Sequence, residues 1–260
     1  MRLTILTENT AGGRFLAEHG LSYLVELDGR TILFDTGHSD VFIQNALKLN
    51  IDLQKTVDLI VLSHGHWDHG DGLRFLEDKP LLAHPAAFMQ RFRKSDGTSV
   101  GLSLTKEMVS QKFDLMTTAE PYRISEHIFF LGEVARKNDF EAQSTSFCDE
   151  NGDDDFVPDD SALVLVENGQ LIIISGCAHS GICNICEQAK KVTGIRTINA
   201  VLGGFHLKQN NKQTCQTIRY FRHEKVRNLI PSHCTGLQAL SAFHEAFHTR
   251  LLKTGQQLTL

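Results

Sequence analysis

Ser63-His64-Gly65-His66-Trp67-Asp68-His69-Gly70 decides how this chain is read. Three imidazoles and one carboxylate fall within six positions, His64 to His69. They follow Val57-Asp-Leu-Ile-Val-Leu62, a mostly apolar run that predicts a buried strand. Imidazole and carboxylate are the ligand types expected for zinc, iron or manganese. Alternate residues of an extended turn project the same way, so His64 and His66 can share one ion. Asp68 and His69 open the next element and can reach a second. Two ions a few ångström apart can clamp a reacting group. One such His would read as a helix cap or a backbone-bonded loop residue. Four metal-type side chains in one turn read as a metal site.

Working outward, residues 3–7, 22–27 and 31–34 predict strands, with Asp28-Gly29 as a hairpin turn. Residues 41–49 predict a short helix whose apolar side includes Val41 and Leu47. A helix is expected to begin near Asp71 and a strand at Leu81. In the second half, strands are expected at 162–166, 171–174, 198–202 and 227–230, and helices at 182–193, 212–223 and 236–252. The stretches 93–119 and 133–160 read as irregular, the second acidic through Asn151-Gly-Asp-Asp-Asp. Loops of that length are often lids or binding loops. The pattern predicts an α+β fold over 1–260, one domain of two facing mixed sheets covered by helices, with loops inserted at about 93–119 and 133–160.

The pattern His64-x-His66-x-Asp68-His69 resembles the H-x-H-x-D-H signature of the metallo-β-lactamase superfamily, and Leu33-Phe-Asp35-Thr-Gly37 resembles its D-T-G segment. More narrowly, the chain is similar to the branch named for 7,8-dihydropterin-6-methyl-4-(β-D-ribofuranosyl)-aminobenzene-5′-phosphate synthase. That likeness runs through Glu18-His19-Gly20-Leu21-Ser22, Gly132-Glu133, Gly176-Cys177-Ala178-His179-Ser-Gly181-Ile182, Gly203-Gly204-Phe205-His206-Leu207 and His233-Cys234-Thr235-Gly236. The resemblance implies an αββα sandwich, a binuclear site, and an Asp35 that supports the ligands from behind.

It also implies that later loops complete the site. A bridging Asp is expected after the strand Leu171-Ile-Ile-Ile-Ser175, but Cys177 stands there, with His179 two residues on. Both are competent ligands. A small buried Cys at a strand end is an equal reading of Cys177. His233 occupies the place of the final ligand of the second ion. Where a third His of the first ion is expected, the chain has Pro158-Asp159-Asp160-Ser161, so Asp159 or Asp160 is a candidate, against a solvated acidic turn. His206 is a candidate catalytic or substrate-binding residue, with a satisfied structural His as the alternative. Asp68 is a candidate both as ligand and as the group that steers a nucleophilic water.

Other features carry less. Cys183-x-x-Cys186 lies in a predicted helix without a second pair and reads as core. His244 and His248 have i, i+4 spacing but no third donor, and read as a solvated face. There is no phosphate-binding Gly-rich loop. A net charge of -5 gives no electrostatic case for nucleic acid or membrane partners. No apolar run approaches the ~20 residues of a membrane helix, and Met1–Asn9 is too polar for a signal peptide. The expectation is a cytoplasmic enzyme of unknown oligomeric state holding two divalent transition-metal ions, zinc first, iron or manganese as alternatives. The expected partner is a small-molecule substrate, phosphorylated ones included. Four activities compete: hydrolysis of an ester, phosphoester or related bond; a synthase joining an aminobenzoate-like acceptor to a phosphoribosyl donor; di-iron redox chemistry, for which no flavin module is visible; and a non-enzymatic binder, which the intact His64–His69 cluster opposes.

Overall fold

Asp28 and Gly29 both have positive φ, 55° and 68°. They form the two-residue turn that pairs Leu27 with Arg30 and sets the register of strands Ser22–Leu27 and Arg30–Phe34. That hairpin belongs to a computed structural model describing residues 1–260. The chain divides into two compact units: Met1–Ala119 with Thr145–Asp159 and Lys253–Leu260, and Glu120–Ser144 with Asp160–Leu252.

The first unit is built on a seven-stranded sheet. Its order is Gln257–Thr259, Arg2–Thr7, Ser22–Leu27, Arg30–Phe34, Leu59–Val61, Pro80–Ala83, Asp114–Thr117. The pairs up to Arg30–Phe34 are antiparallel and those beyond it parallel. Leu6, Leu24, Leu33, Phe42, Ile60, Leu73 and Leu81 belong to one apolar cluster of this unit. A small ribbon of Arg91–Arg93, Phe147–Asp149 and Asp154–Asp155 accompanies the sheet. The second unit carries a six-stranded sheet ordered Asn228–Ser232, Ile198–Gly204, Gln170–Ser175, Ala162–Glu167, Ile128–Phe130, Tyr122–Arg123. Helices Ile182–Thr193, Lys212–Glu224 and Leu237–Phe247 supply Ile185, Phe221 and Phe243 to a core shared with Ile173, Val201 and Phe205. Mixed sheets with helices are what the α+β reading expected.

The differences have identifiable causes. Helix Val41–Lys48 buries Phe42, Asn45 and Ala46, whereas Leu47 is 60% exposed. Asn45 displaces the expected face because its side chain donates to the carbonyls of Leu6 and Leu16 and accepts from Leu16 N. The stretch 93–119, expected to be irregular, contains helix Lys106–Lys112, capped by Thr105, and strand Asp114–Thr117. A seven-residue helix is too short to show a clear period. Helix Trp67–Gly70 starts earlier than the expected Asp71, which instead opens a 3₁₀ turn. The final helix stops at Phe247, before the expected residue 252, because His248 turns left-handed at φ 55°.

Candidate metal centre

Strand Leu59–Val61 delivers the chain directly into Ser63 and His64. Gly65 follows because a Cβ there would stand 1.7 Å from the Ala87 carbonyl oxygen. His64, His66, Asp68 and His69 are all buried.

Asp35 organises this turn. Its backbone is left-handed, φ 58°, and its carboxylate is fully buried. It accepts from Ser63 N at 2.7 Å, from Ser63 Oγ at 2.7 Å and from His69 Nδ1 at 2.7 Å. Since Ser63 Oγ spends its proton on Asp35, it accepts from His64 Nδ1 at 2.9 Å. Both imidazoles therefore carry their protons on Nδ1, which leaves each Nε2 an acceptor, that of His64 facing His66 Nδ1. Burial, then the neighbouring His69 and His66, pushes His64 well below the usual histidine value, so it stays neutral.

The donor set suits a divalent ion. His64 Nε2 and His66 Nδ1 are 2.9 Å apart. Two imidazole nitrogens on one tetrahedral ion stand about 3.3 Å apart, given Zn–N bonds of about 2.0–2.1 Å. His69 Nε2 lies 3.8 Å from Asp68 Oδ2. An imidazole pair thus lies beside an imidazole–carboxylate pair.

Asp159 corrects an expectation. It is buried, but its carboxylate is held by Arg91, at 3.1 and 2.8 Å, and accepts from Gly65 N at 2.6 Å. Both oxygens are engaged in bracing the His64–His66 turn instead of serving as a ligand. Arg91, itself fully buried, also contacts Asp155 at 3.0 Å. Nothing in the sequence singled out Arg91, whose partner is 68 positions away. His19 was also missed as a site residue beyond its place in the family resemblance. Its Nε2 lies 3.2 Å from Asp68 Oδ2, and its ring is near Trp67, which His38 also contacts.

The second unit has its own donors. Cys177 and His179 follow strand Gln170–Ser175, His206 follows Ile198–Gly204, and His233 and Cys234 follow Asn228–Ser232. Ala178, His206 and His233 have φ of 57°, 49° and 49°, which turns the chain sharply past each strand. The rings of His179 and His206 are 4.3 Å apart between centroids. Asp160 braces this loop: it accepts from Ser180 N at 2.9 Å and from Ser180 Oγ, and burial raises its carboxyl above the usual range. Burial would push the Cys234 thiol up, but its bonds to Cys177 and His206 outweigh that and hold it well below the usual thiol value. Cys183 and Cys186 are buried, with thiols raised by burial, as expected of core. His244 and His248 are exposed. No helix is long and apolar enough to cross a membrane.

Comparison with known proteins shows a family likeness that spans the His64–His69 turn. The family model described as metallo-beta-lactamase superfamily matches residues 17–80, which include Asp35 and the His64–His69 turn. A 7,8-dihydropterin-6-methyl-4-(beta-D-ribofuranosyl)-aminobenzene-5'-phosphate synthase of Methanocaldococcus jannaschii is 33% identical over 95% of this chain and 92% of its own. An uncharacterized protein of the same organism is 36% identical over 92% of each chain. Among solved structures, a metal-dependent hydrolase of the beta-lactamase superfamily superposes with a TM-score of 0.88 at 30% identity, covering 100% of this chain and 99% of that one.

Proposed function

Since the chain belongs to the metallo-β-lactamase superfamily, we propose that it is a binuclear metal-dependent hydrolase acting on an ester, phosphoester or related bond of a small molecule. One observation carries the reading. Asp35, directly at His69 and through Ser63 at His64, orients two buried imidazoles so that each Nε2 is turned to accept. Imidazoles that ligate a metal are commonly oriented from behind in this way. His64 and His66 would hold one ion, and Asp68 and His69 the other. His179 and His233 are proposed as further ligands from their sequence positions. Zinc suits these donors, with iron or manganese as alternatives. Bound there, such ions supply Lewis acidity toward the substrate oxygen and a nucleophile at neutral pH.

The protein's own part is orientation and proton handling. Asp68 Oδ2 is shared between His69 and His19. Asn9 Nδ2 stands 3.2 Å from His19 Nδ1 and donates to it, which puts the His19 proton on Nε2, facing Asp68. Asp68 can thus take a proton from a water while the His19 Nε2–H holds its carboxylate in place.

A second reading, a synthase joining an aminobenzoate-like acceptor to a phosphoribosyl donor, is favoured by the 33% identical relative bearing a synthase name. The test is metal analysis of purified protein, then turnover of phosphodiesters, lactones, thioesters and a phosphoribosyl donor with aminobenzoate. Hydrolysis of one of the first three, lost with metal content in the double variant His66→Ala, Asp68→Ala, supports the hydrolase. Pyrophosphate release that requires the acceptor supports the synthase. Unchanged metal content in the double variant sinks the ligand assignment.

A further inference from the structure

Three segments of the first unit are woven together at the metal turn: 18–21, 37–39 and 67–69. Leu21 N donates to the Asp68 carbonyl at 3.2 Å, and Gly37 N donates to the Leu21 carbonyl at 2.9 Å. Gly20 permits the close approach, since a Cβ there would stand 2.9 Å from the Asp68 carbonyl oxygen and 3.3 Å from Gly37 Cα. Gly37, at φ 68°, leaves room for a carboxylate: its Cβ would come 2.8 Å from Glu18 Oε1.

The weave gathers rings beside Asp68. Trp67, the only tryptophan of the chain, meets His38 edge-on, with 4.6 Å between centroids and 82° between planes. The His19 ring is tilted against it at 5.6 Å. His19 and His38 are exposed, and Trp67 is half-buried. Rings so open gain little from burial, yet their mounts are fixed. Asn9 accepts from Gly20 N and donates to His19 Nδ1, while His19 Nε2 stands 3.2 Å from Asp68 Oδ2. Glu18 accepts from His38 N, Ser39 N and Ser39 Oγ. Ordering exposed groups costs conformational entropy, and groups ordered in advance bind a ligand at less entropic cost.

We propose that His19, Trp67 and His38 form a rim of the metal centre that seats a planar ring of the substrate, with the reacting group reaching from it toward Asp68. The inference rests on the reading of the His64–His69 turn as a metal centre. It names the substrate class as small molecules with an aromatic ring next to the bond that reacts, and it makes His38 a specificity-determining residue. Imidazole and indole suit such a ring because aromatic pairs prefer offset or edge-to-face contact over a broad range of spacings.

The probes are phenylphosphonate and cyclohexylphosphonate, equal in charge and close in bulk, one planar and the other not. Neither presents an ester to cleave. Trp67 fluorescence, with no other tryptophan to mask it, and calorimetry read their binding to zinc-loaded, full-length protein. Phenylphosphonate should bind about fivefold more tightly, the size of one ring contact. His38→Ala should bring the two affinities to within about twofold of each other, and His38→Phe should restore the preference, with zinc content unchanged in both variants. Equal binding of the two phosphonates by wild type, binding of neither to zinc-loaded protein, or a preference that His38→Ala leaves intact overturns the proposal. The wild-type comparison needs no variant, so a variant that fails to fold does not block it. A chain that takes up no zinc fails the metal reading, and this inference with it. A ring preference retained without turnover of any ester counts against the hydrolase reading alone.

Discussion

Asp35 shows how much one side chain can arrange. Its oxygens serve Ser63 N, Ser63 Oγ and His69 Nδ1, and through Ser63 they set the His64 tautomer. Replacing it by Asn keeps the shape but removes the charge, and the amide can donate where only acceptance fits. Groups that support metal ligands this way are worth about 10–100-fold in affinity. Asp35→Asn should weaken zinc binding by that factor while the far-ultraviolet spectrum stays unchanged, as read by competition with a chromophoric chelator. Unaltered affinity would remove Asp35 from the centre. The His64–His69 cluster and the Asp35 segment were legible in the sequence because each is contiguous and chemically unusual. Asp159 was misread for the same reason: an acidic residue near an expected ligand position looks like a ligand until its buried partner, Arg91, is seen. A cation 68 positions away leaves no mark on local sequence.

At the scale of elements, loops are held by buried charge. The ribbon residue Arg91 contacts Asp159, Asp155 and the Ala86 carbonyl. Arg91→Met would strand two buried carboxylates, and removing one partner of a buried pair costs about 3–5 kcal/mol. Chemical denaturation should show a loss of that size and, because Asp159 holds Gly65 N, weaker metal binding as well. A loss under about 1 kcal/mol would mean that the carboxylates find other partners or water. Glu141 does related work in the second unit, accepting from Cys183 N, Asn184 N and Asn138 Nδ2 at the start of helix Ile182–Thr193. Burial raises its carboxyl above the usual 4.5. A raised carboxyl contributes most below its unfolded value of 4.5 and loses that contribution as pH rises through the folded value. Glu141→Gln cannot titrate, and its hydrogen-bond penalty is independent of pH. The melting temperature of Glu141→Gln minus that of wild type should therefore increase between pH 4.5 and neutrality. A difference that stays flat or decreases would contradict the assignment. None of these clamps could be read from sequence, since the stretches holding Arg91, Glu141 and Asp155 show no period.

Over the whole molecule, the order of strands and helices was largely legible, because the runs 22–34 and 162–175 combine apolar strands with hairpin turns. What was not legible is how distant segments return: Thr145–Asp159 and Lys253–Leu260 both belong with the first unit. The buried imidazoles imply a dependence of stability on metal that this scale makes measurable. Ions that bind the folded chain and not the unfolded one stabilise it by mass action, about 4 kcal/mol at roughly a thousand times the dissociation constant. Unfolded His and Cys residues retain some affinity, so the gain is somewhat smaller. Chelator-treated wild type should melt several degrees below the zinc-loaded protein, and added zinc should restore the difference in a concentration-dependent way. The double variant His66→Ala, Asp68→Ala should show a smaller zinc-dependent shift, since it keeps only part of the proposed donor set. Equal shifts in wild type and variant would place the stabilising ions elsewhere. Absence of any shift in the wild type would mean that the buried imidazoles held by Asp35 and Ser63 are tolerated at their desolvation cost without a bound cation.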